Sequence, residues 1–319
     1  MNYSIRKILP SDKDEFIKMS REFYSSDAVL NNVDDSFHFS TFDELMRSDV
    51  YLECYIFETD KGEIAGYALL DNPDAEELSF NIEDVERAIT EKTKAIIINT
   101  PSNPSGRIIS QEKIQALAEL AKKYDLVVIS DEVYKCLIYD QASFKSIVAV
   151  EGMRERTVLI NSLSKEFCMT GWRIGYVLAP EELIATMTKL QENVVACAPL
   201  PSQYAAIEAL SGKENYSENM VKIFTSRRNT LVQGIQALPL LRCTAPQATF
   251  YLMVDISATG FTSYDFAVAL LKAQQVAVVP GVAYGKSCDK YIRIAFTLEE
   301  DKIREGVRRI GEFIKSLDK

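Results

Sequence analysis

Lys165 is flanked by Ser162 and Ser164 and followed, eight residues later, by Arg173. A lysine amine condenses with an aldehyde, and small hydroxyls beside a guanidinium hold a phosphate through charge-assisted hydrogen bonds. Together they suit a small cofactor carrying both an aldehyde and a phosphate. A lysine and an arginine at this spacing also occur on ordinary surface loops, so the neighbouring elements must decide. Val158-Leu159-Ile160, just upstream, is a short apolar run that reads as a buried strand. Asn161 turns the chain polar, which puts the serines and Lys165 just beyond the strand's carboxyl end. Open parallel sheets place ligands at that edge.

Three other stretches carry chemistry-bearing residues. Leu126 to Ser130 reads as a strand that delivers Asp131 at its carboxyl end, with Tyr134 three residues on. An acidic residue there is either a turn or cap residue, or a carboxylate that serves the chemistry of a bound group at the sheet edge. Thr93 to Asn99 is another buried strand. After it, Thr100-Pro101-Ser102-Asn103-Pro104-Ser105-Gly106 has the prolines and glycine of an irregular loop. Arg293, between apolar residues in Tyr291 to Ala295, is costly on a central strand unless an anion pairs with it. That anion is either a structural carboxylate or a ligand.

Taken in order, Asn99-Thr100-Pro101-Ser102-Asn103-Pro104-Ser105-Gly106, Ser130-Asp131-Glu132-Val133-Tyr134 and Ser162-Leu163-Ser164-Lys165 through Thr170-Gly171-Trp172-Arg173 resemble the aspartate-aminotransferase family. These are class I/II, fold-type-I enzymes dependent on pyridoxal phosphate (PLP), and the resemblance runs from about Pro73 to the C-terminus. It implies that Lys165 is the Schiff-base lysine and general base and that Asp131 pairs with the pyridine nitrogen. Tyr134 and Asn103 would hydrogen-bond the ring's 3-oxygen, and Ser162 and Arg173 would bind the phosphate. Arg293 matches the arginine that grips the substrate α-carboxylate, and Gly281 to Gly285 resembles a loop near the family's site. The implied function is transamination between an amino acid and a 2-oxo acid in a cytoplasmic homodimer. β-Elimination, decarboxylation and a degenerate remnant with weak or no PLP binding stay open.

The positioning elements follow from periodicity. Helices are expected at Ile82 to Ile89, from a Ser110 cap through Lys123, at Pro180 to Val195, Pro201 to Ala209, Ser217 (as N-cap) to Ala237, Ser263 to Ala273 and Glu299 to Ser316. Further strands are expected at Thr249 to Asp255, Val276 to Val279 and Tyr291 to Phe296. The fold class is α/β: an incomplete fold-type-I large domain at 71–213, with a mostly parallel sheet and helices on both faces. A linking helix and a small α/β C-terminal domain follow at 214–319.

The first seventy residues read differently. A strand at Tyr3 to Lys7, helices at Asp12 to Tyr24 and Phe39 to Arg47, and strands at Tyr51 to Glu58 and Glu63 to Leu70 resemble the opening of a GNAT-type N-acetyltransferase. Such enzymes bind the coenzyme A pyrophosphate with a glycine-rich loop at a helix start, and no such string occurs here. Near Leu70 to Pro73 the aminotransferase pattern in turn lacks a block of roughly a hundred residues, on the scale of a domain. In intact relatives that block carries the amide-donating phosphate loop, the aromatic stacked on the ring and several strands. The chain reads as two truncated enzymes joined near residue 71, and lost strands would expose sheet edges.

Composition narrows the partners. The 319 residues are 47% hydrophobic and 26% charged, with net charge -10 and a pI near 4.9. That acidity disfavours nucleic acid and anionic membranes, and no apolar run is long enough for a membrane span. The six cysteines are scattered without a C-x-x-C pair, so neither a zinc site nor a disulfide framework is expected. His38 is the only histidine, which excludes chemistry that needs a histidine pair.

Overall fold

In the computed structural model, residues 3–7, 13–14, 17–18, 55–59, 80–212 and 216–317 are described. The chain divides into two compact units, Met1–Tyr67 with Glu91–Thr93, and Ala68–Thr90 with Lys94–Lys319. In the first, strands β1 (Tyr3–Lys7) and β2 (Tyr55–Thr59) pair antiparallel, Tyr3 opposite Thr59. Lys13, Asp14, Ile17 and Lys18 are helical. The expected helix at Phe39 to Arg47 and strand at Glu63 to Leu70 lie outside the described residues.

The second unit opens with helix α1 (Ile82–Ala88), capped by the Asn81 side chain. A four-stranded sheet follows in the order β3 (Ala95–Asn99), β4 (Val127–Asp131), β5 (Thr157–Ser162), β6 (Gly175–Leu178). The first three strands run parallel and β6 is antiparallel to β5. Helix α2 (Gln111–Lys123) starts where Ser110 Oγ accepts from the Lys113 amide, and it turns Ile114, Leu117, Ala118 and Ala121 inward. These pack on Ile96, Ile98 and Val128. Side chains alternate along a strand, so Ile97, Asn99, Ile129 and Asp131, all half-buried, share the opposite face. Asn99 and Asp131 sit side by side at the strands' carboxyl ends.

Short helix α3 (Leu163–Glu166), then α4 (Glu181–Val194) and α5 (Leu200–Leu210), follow the sheet. The long α6 (Tyr216–Gln236) contains Ser217 rather than being capped by it. Next comes an antiparallel sheet, β7 (Tyr251–Asp255), β9 (Tyr291–Ala295), β8 (Val279–Pro280), in that spatial order, with helices α7 (Ser263–Gln274) and α8 (Glu300–Leu317). Its core joins Leu231 and Ile235 of α6 to Leu252, Val254, Phe266, Ile292 and Phe313. The strand expected at Val276 to Val279 is shorter than its apolar run. Pairing with β9 begins only at Val279, opposite Arg293, while Val276 and Val278 pack against the core.

Candidate active site

The loop after β3 is held by its own polar groups. Asn99 Oδ1 accepts from the Asn103 amide at 2.7 Å, and the Thr100 amide donates to the Asp131 carbonyl at 3.1 Å. The Ser102 amide donates to the Arg107 carbonyl and the Gly106 amide to the Ser102 carbonyl, each at 2.9 Å. Gly106 has φ +67°, and a Cβ there would lie 2.5 Å from Pro246 Cβ. Only a residue without a side chain fits both that angle and that approach. Its carbonyl accepts from the Gln247 and Ala248 amides, which ties the loop to the segment leading into β7.

Asp131 ends β4. Its Oδ1 accepts from the Val133 amide at 3.3 Å, and burial pushes the carboxyl above its ordinary range against that bond and the contribution of Asn99. Glu132 beside it is buried, accepts from Ser130 Oγ and Ser146 Oγ, and is likewise pushed up by burial. Asp131 shares a cavity of about 340 Å³ beside β3 with Asn99, Asn103, Arg107, Val133 and Tyr134. Tyr134 is buried in the turn after β4, its hydroxyl 3.2 Å from that of Tyr251. Burial, and next the Tyr251 hydroxyl, raise its phenol far above the usual range.

Lys165 sits in α3, half-buried, with Nζ 5.9 Å from the Tyr134 ring centre and 5.6 Å from that of Phe250. Arg293 on β9 donates from Nη1 to Asn103 Oδ1 at 2.7 Å, so its guanidinium meets the loop after β3. It lies 4.2 Å from the Tyr251 ring centre and 5.2 Å from that of Tyr284, and its buried Nε has no hydrogen-bond partner. Among the described residues no carboxylate pairs with Arg293. A desolvated cation with an open donor calls for an anion.

Thus Asn103, Asp131, Tyr134, Lys165 and Arg293 come together through a short chain of contacts. Ser162 and Arg173 stand apart from it. Ser162 Oγ accepts from the Ser164 amide, capping α3, and donates to the Ile174 carbonyl at 3.5 Å. Arg173 is exposed in a left-handed conformation, φ +50°, and its Nη1 donates to the Thr170 carbonyl at 2.9 Å. Both lie near the junction of β5 and β6, and their side chains have separate partners. Sequence reading missed Phe250 and Tyr251, and it gave Asn99 a place in a motif but no role. A pair of aromatics at the head of a strand was the available signal for the first two, but such pairs usually mark core.

This donor set fits PLP. Clustered here are an amine of the kind that condenses with an aldehyde, a half-buried carboxylate, a phenol and an amide, while the serine and the arginine suited to a phosphate stand outside the cluster.

The family model "Aminotransferase class I and II" matches residues 55–310, beginning inside the stretch that resembles an acetyltransferase. An aspartate aminotransferase of Bacillus sp. (strain YM-2) is 40% identical over 239 residues, covering 73% of this chain and 60% of that protein. That of Pyrococcus abyssi is 38% identical over 256 residues, covering 79% and 66%. Among solved structures, an aromatic aminotransferase from Pyrococcus horikoshii superposes with TM-score 0.73 at 38% identity, over 76% of this chain and 65% of that one. The chain spans less than two thirds of the length of these relatives. Aminotransferases of this class depend on PLP, and their fold type I architecture is the mixed sheet with helices seen here. The chain belongs to the aminotransferase class I and II family.

Proposed function

We propose that this chain is a PLP-dependent aminotransferase that moves an amino group between an amino acid and a 2-oxo acid. One observation carries the reading: Arg293, a half-buried cation with a buried, unpartnered Nε and no carboxylate partner among the described residues, donates to Asn103 beside Asp131, Tyr134 and Lys165. In this reading Arg293 orients the substrate by its α-carboxylate, using the planar fork that suits bidentate capture. Lys165 takes the proton from the substrate's Cα and returns it, a general-base role. Asp131 keeps the pyridine nitrogen protonated, and its own raised carboxyl is drawn back to the ionised form by that positive charge. Tyr134 and Asn103 donate to the ring's 3-oxygen, and Ser162 and Arg173 hold the phosphate. Bound PLP supplies the electron sink for the negative charge left at Cα.

The division into a cofactor-binding segment at 71–213 and a small domain at 214–319 is supported by largely separate hydrophobic clusters around β3–β4 and around β7–β9. The antiparallel β1–β2 pair is compatible with a GNAT-like opening for residues 1–70. A second copy of this chain as partner is supported by Leu200, Tyr204 and Ile207, exposed along one stripe of α5.

The test is to incubate the protein with PLP, reduce with borohydride and map the modified peptide, alongside turnover of amino and oxo acid pairs. One pyridoxyl group on Lys165, absent from Lys165→Ala, together with amino transfer is expected. Label on other lysines with Lys165 unmodified sinks the assignment.

A further inference from the structure

The contacts of Tyr251 join two parts of the site that the chain separates widely. It opens β7, is 9% exposed, and makes two contacts with different chemistry. Its hydroxyl is 3.2 Å from the Tyr134 hydroxyl, 117 residues earlier. Its ring centre is 4.2 Å from the Arg293 guanidinium carbon on the paired strand β9. The Tyr134 and Tyr251 rings stand edge to face, 5.9 Å apart, and Phe250 packs beside both.

A phenol has one proton to give and can accept in return. Among the described residues the Tyr251 hydroxyl has no other hydrogen-bond partner than Tyr134, so its proton goes there whenever Tyr134 spends its own elsewhere. We propose that Tyr251 is a positioning residue for both halves of the site: its hydroxyl donates to Tyr134 and commits the Tyr134 proton to the cofactor's ring oxygen, while its ring holds the Arg293 guanidinium flat for the substrate carboxylate. The inference rests on the function proposed above.

Accepting one hydrogen bond makes a hydroxyl a stronger donor in the next, so Tyr251 strengthens what Tyr134 offers. The charged and titratable groups that face Tyr134 are Asp131 from β4, Lys165 from α3, Tyr251 from β7 and Arg293 from β9. None of them besides Tyr251 hydrogen-bonds its hydroxyl. Stacking on an aromatic face within about 6 Å is favourable for a guanidinium. With Tyr284 also within range, Arg293 is turned so that Nη1 meets Asn103.

The experiment compares wild type, Tyr251→Phe, Tyr134→Phe and the double variant, each loaded with PLP, by following the visible absorbance of the bound cofactor against pH. Tyr134 stabilises the ionised ring oxygen, so a weakened donor moves the titration midpoint upward. Tyr251→Phe should raise it by about half a unit, the scale of part of one hydrogen bond. Tyr134→Phe should raise it further, and adding Tyr251→Phe to it should then change nothing. That non-additivity marks action through Tyr134. Tyr251→Phe should leave KM for the amino donor unchanged because the ring stays, whereas Tyr251→Leu should raise it several-fold. An unshifted midpoint in Tyr251→Phe, or an equal shift in both backgrounds, overturns the inference while leaving the function intact. If wild type takes up no PLP, the function falls and this inference with it.

Discussion

Arg293 and Asn103 are 190 residues apart in sequence and 2.7 Å apart in space, Nη1 donating to Oδ1. The contact joins a strand of the C-terminal sheet to the loop after β3, whose other bonds fix it to Asn99 and to the segment before β7. One amide therefore serves two tasks. Its oxygen orients the guanidinium, and its nitrogen remains a donor beside Asp131 and Tyr134. In the proposed function, the groups that would take the substrate carboxylate and the cofactor ring are already in contact, which is the preorganisation that catalysis requires.

Arg293→Lys tests that geometry. Lysine keeps the charge but loses the planar fork and the stacking on Tyr251 and Tyr284. Losing one charge-assisted contact, about 1.5–3 kcal/mol, corresponds to roughly a 10- to 150-fold rise in KM for the amino donor. PLP uptake measured by absorbance should change little. A KM within twofold of wild type would place the carboxylate elsewhere.

Asp131 gives a prediction in pH. Burial holds its carboxyl above the ordinary value of 3.8 in the ligand-free protein. A raised carboxyl binds its proton more tightly folded than unfolded, so its contribution to stability is complete below 3.8 and is lost as pH rises through the raised value. Asp131→Asn removes that dependence. Thermal unfolding of the ligand-free proteins should show the variant gaining on wild type as pH goes from below 4 to neutral. With PLP bound and at neutral pH, the same substitution should lower turnover about a hundredfold or more while shifting PLP affinity far less. A constant difference in melting temperature across the pH range would argue against a raised carboxyl.

Much of the scaffold was legible because it depends on neighbours in sequence. The Ser110 cap, the inward stripe of α2 and the apolar runs of β3, β4 and β5 are local patterns, and they lie where expected. Asp131 proved to be the last residue of its strand rather than the first beyond it, since it still pairs with Asn99 and Ile160. The Val276 to Val279 run misled because four apolar residues signal burial without saying whether backbone pairing or side-chain packing buries them. Tyr251 was not legible at all. Its importance arises only when β7 brings it against Tyr134 and β9 brings Arg293 over its ring, and no spacing rule spans 117 residues.

Gly106→Ala tests the seam between the loop and the segment before β7. The added methyl meets Pro246 Cβ at 2.5 Å and the Ala248 carbonyl at 3.0 Å, at a backbone angle of +67°. Pro246 is a rigid ring, and the Gln247 and Ala248 amides that follow it donate to the Gly106 carbonyl, so the clash cannot be relieved by a side-chain rotation. A loss of about 1–3 kcal/mol in denaturant unfolding is expected. Activity should fall as well, because Asn103 lies three residues away. Unchanged stability would mean the loop can shift without cost.

Arg173 is the residue whose role and present contacts diverge most. Its guanidinium caps the Thr170 carbonyl at the surface, while the proposed function needs it on the phosphate. The surface bond is exposed and local, so giving it up costs little, typically within about 0.5 kcal/mol for a surface substitution. A phosphate contact is worth more, about 1.5–3 kcal/mol. Arg173→Ala should therefore leave denaturant unfolding of the ligand-free protein nearly unchanged and weaken PLP roughly 10- to 150-fold in an absorbance titration. Ser162→Ala should behave differently, because it loses both the α3 cap and a phosphate donor: stability and affinity should fall together. Should Arg173→Ala bind PLP as tightly as wild type, Arg173 is a turn cap and another segment holds the phosphate.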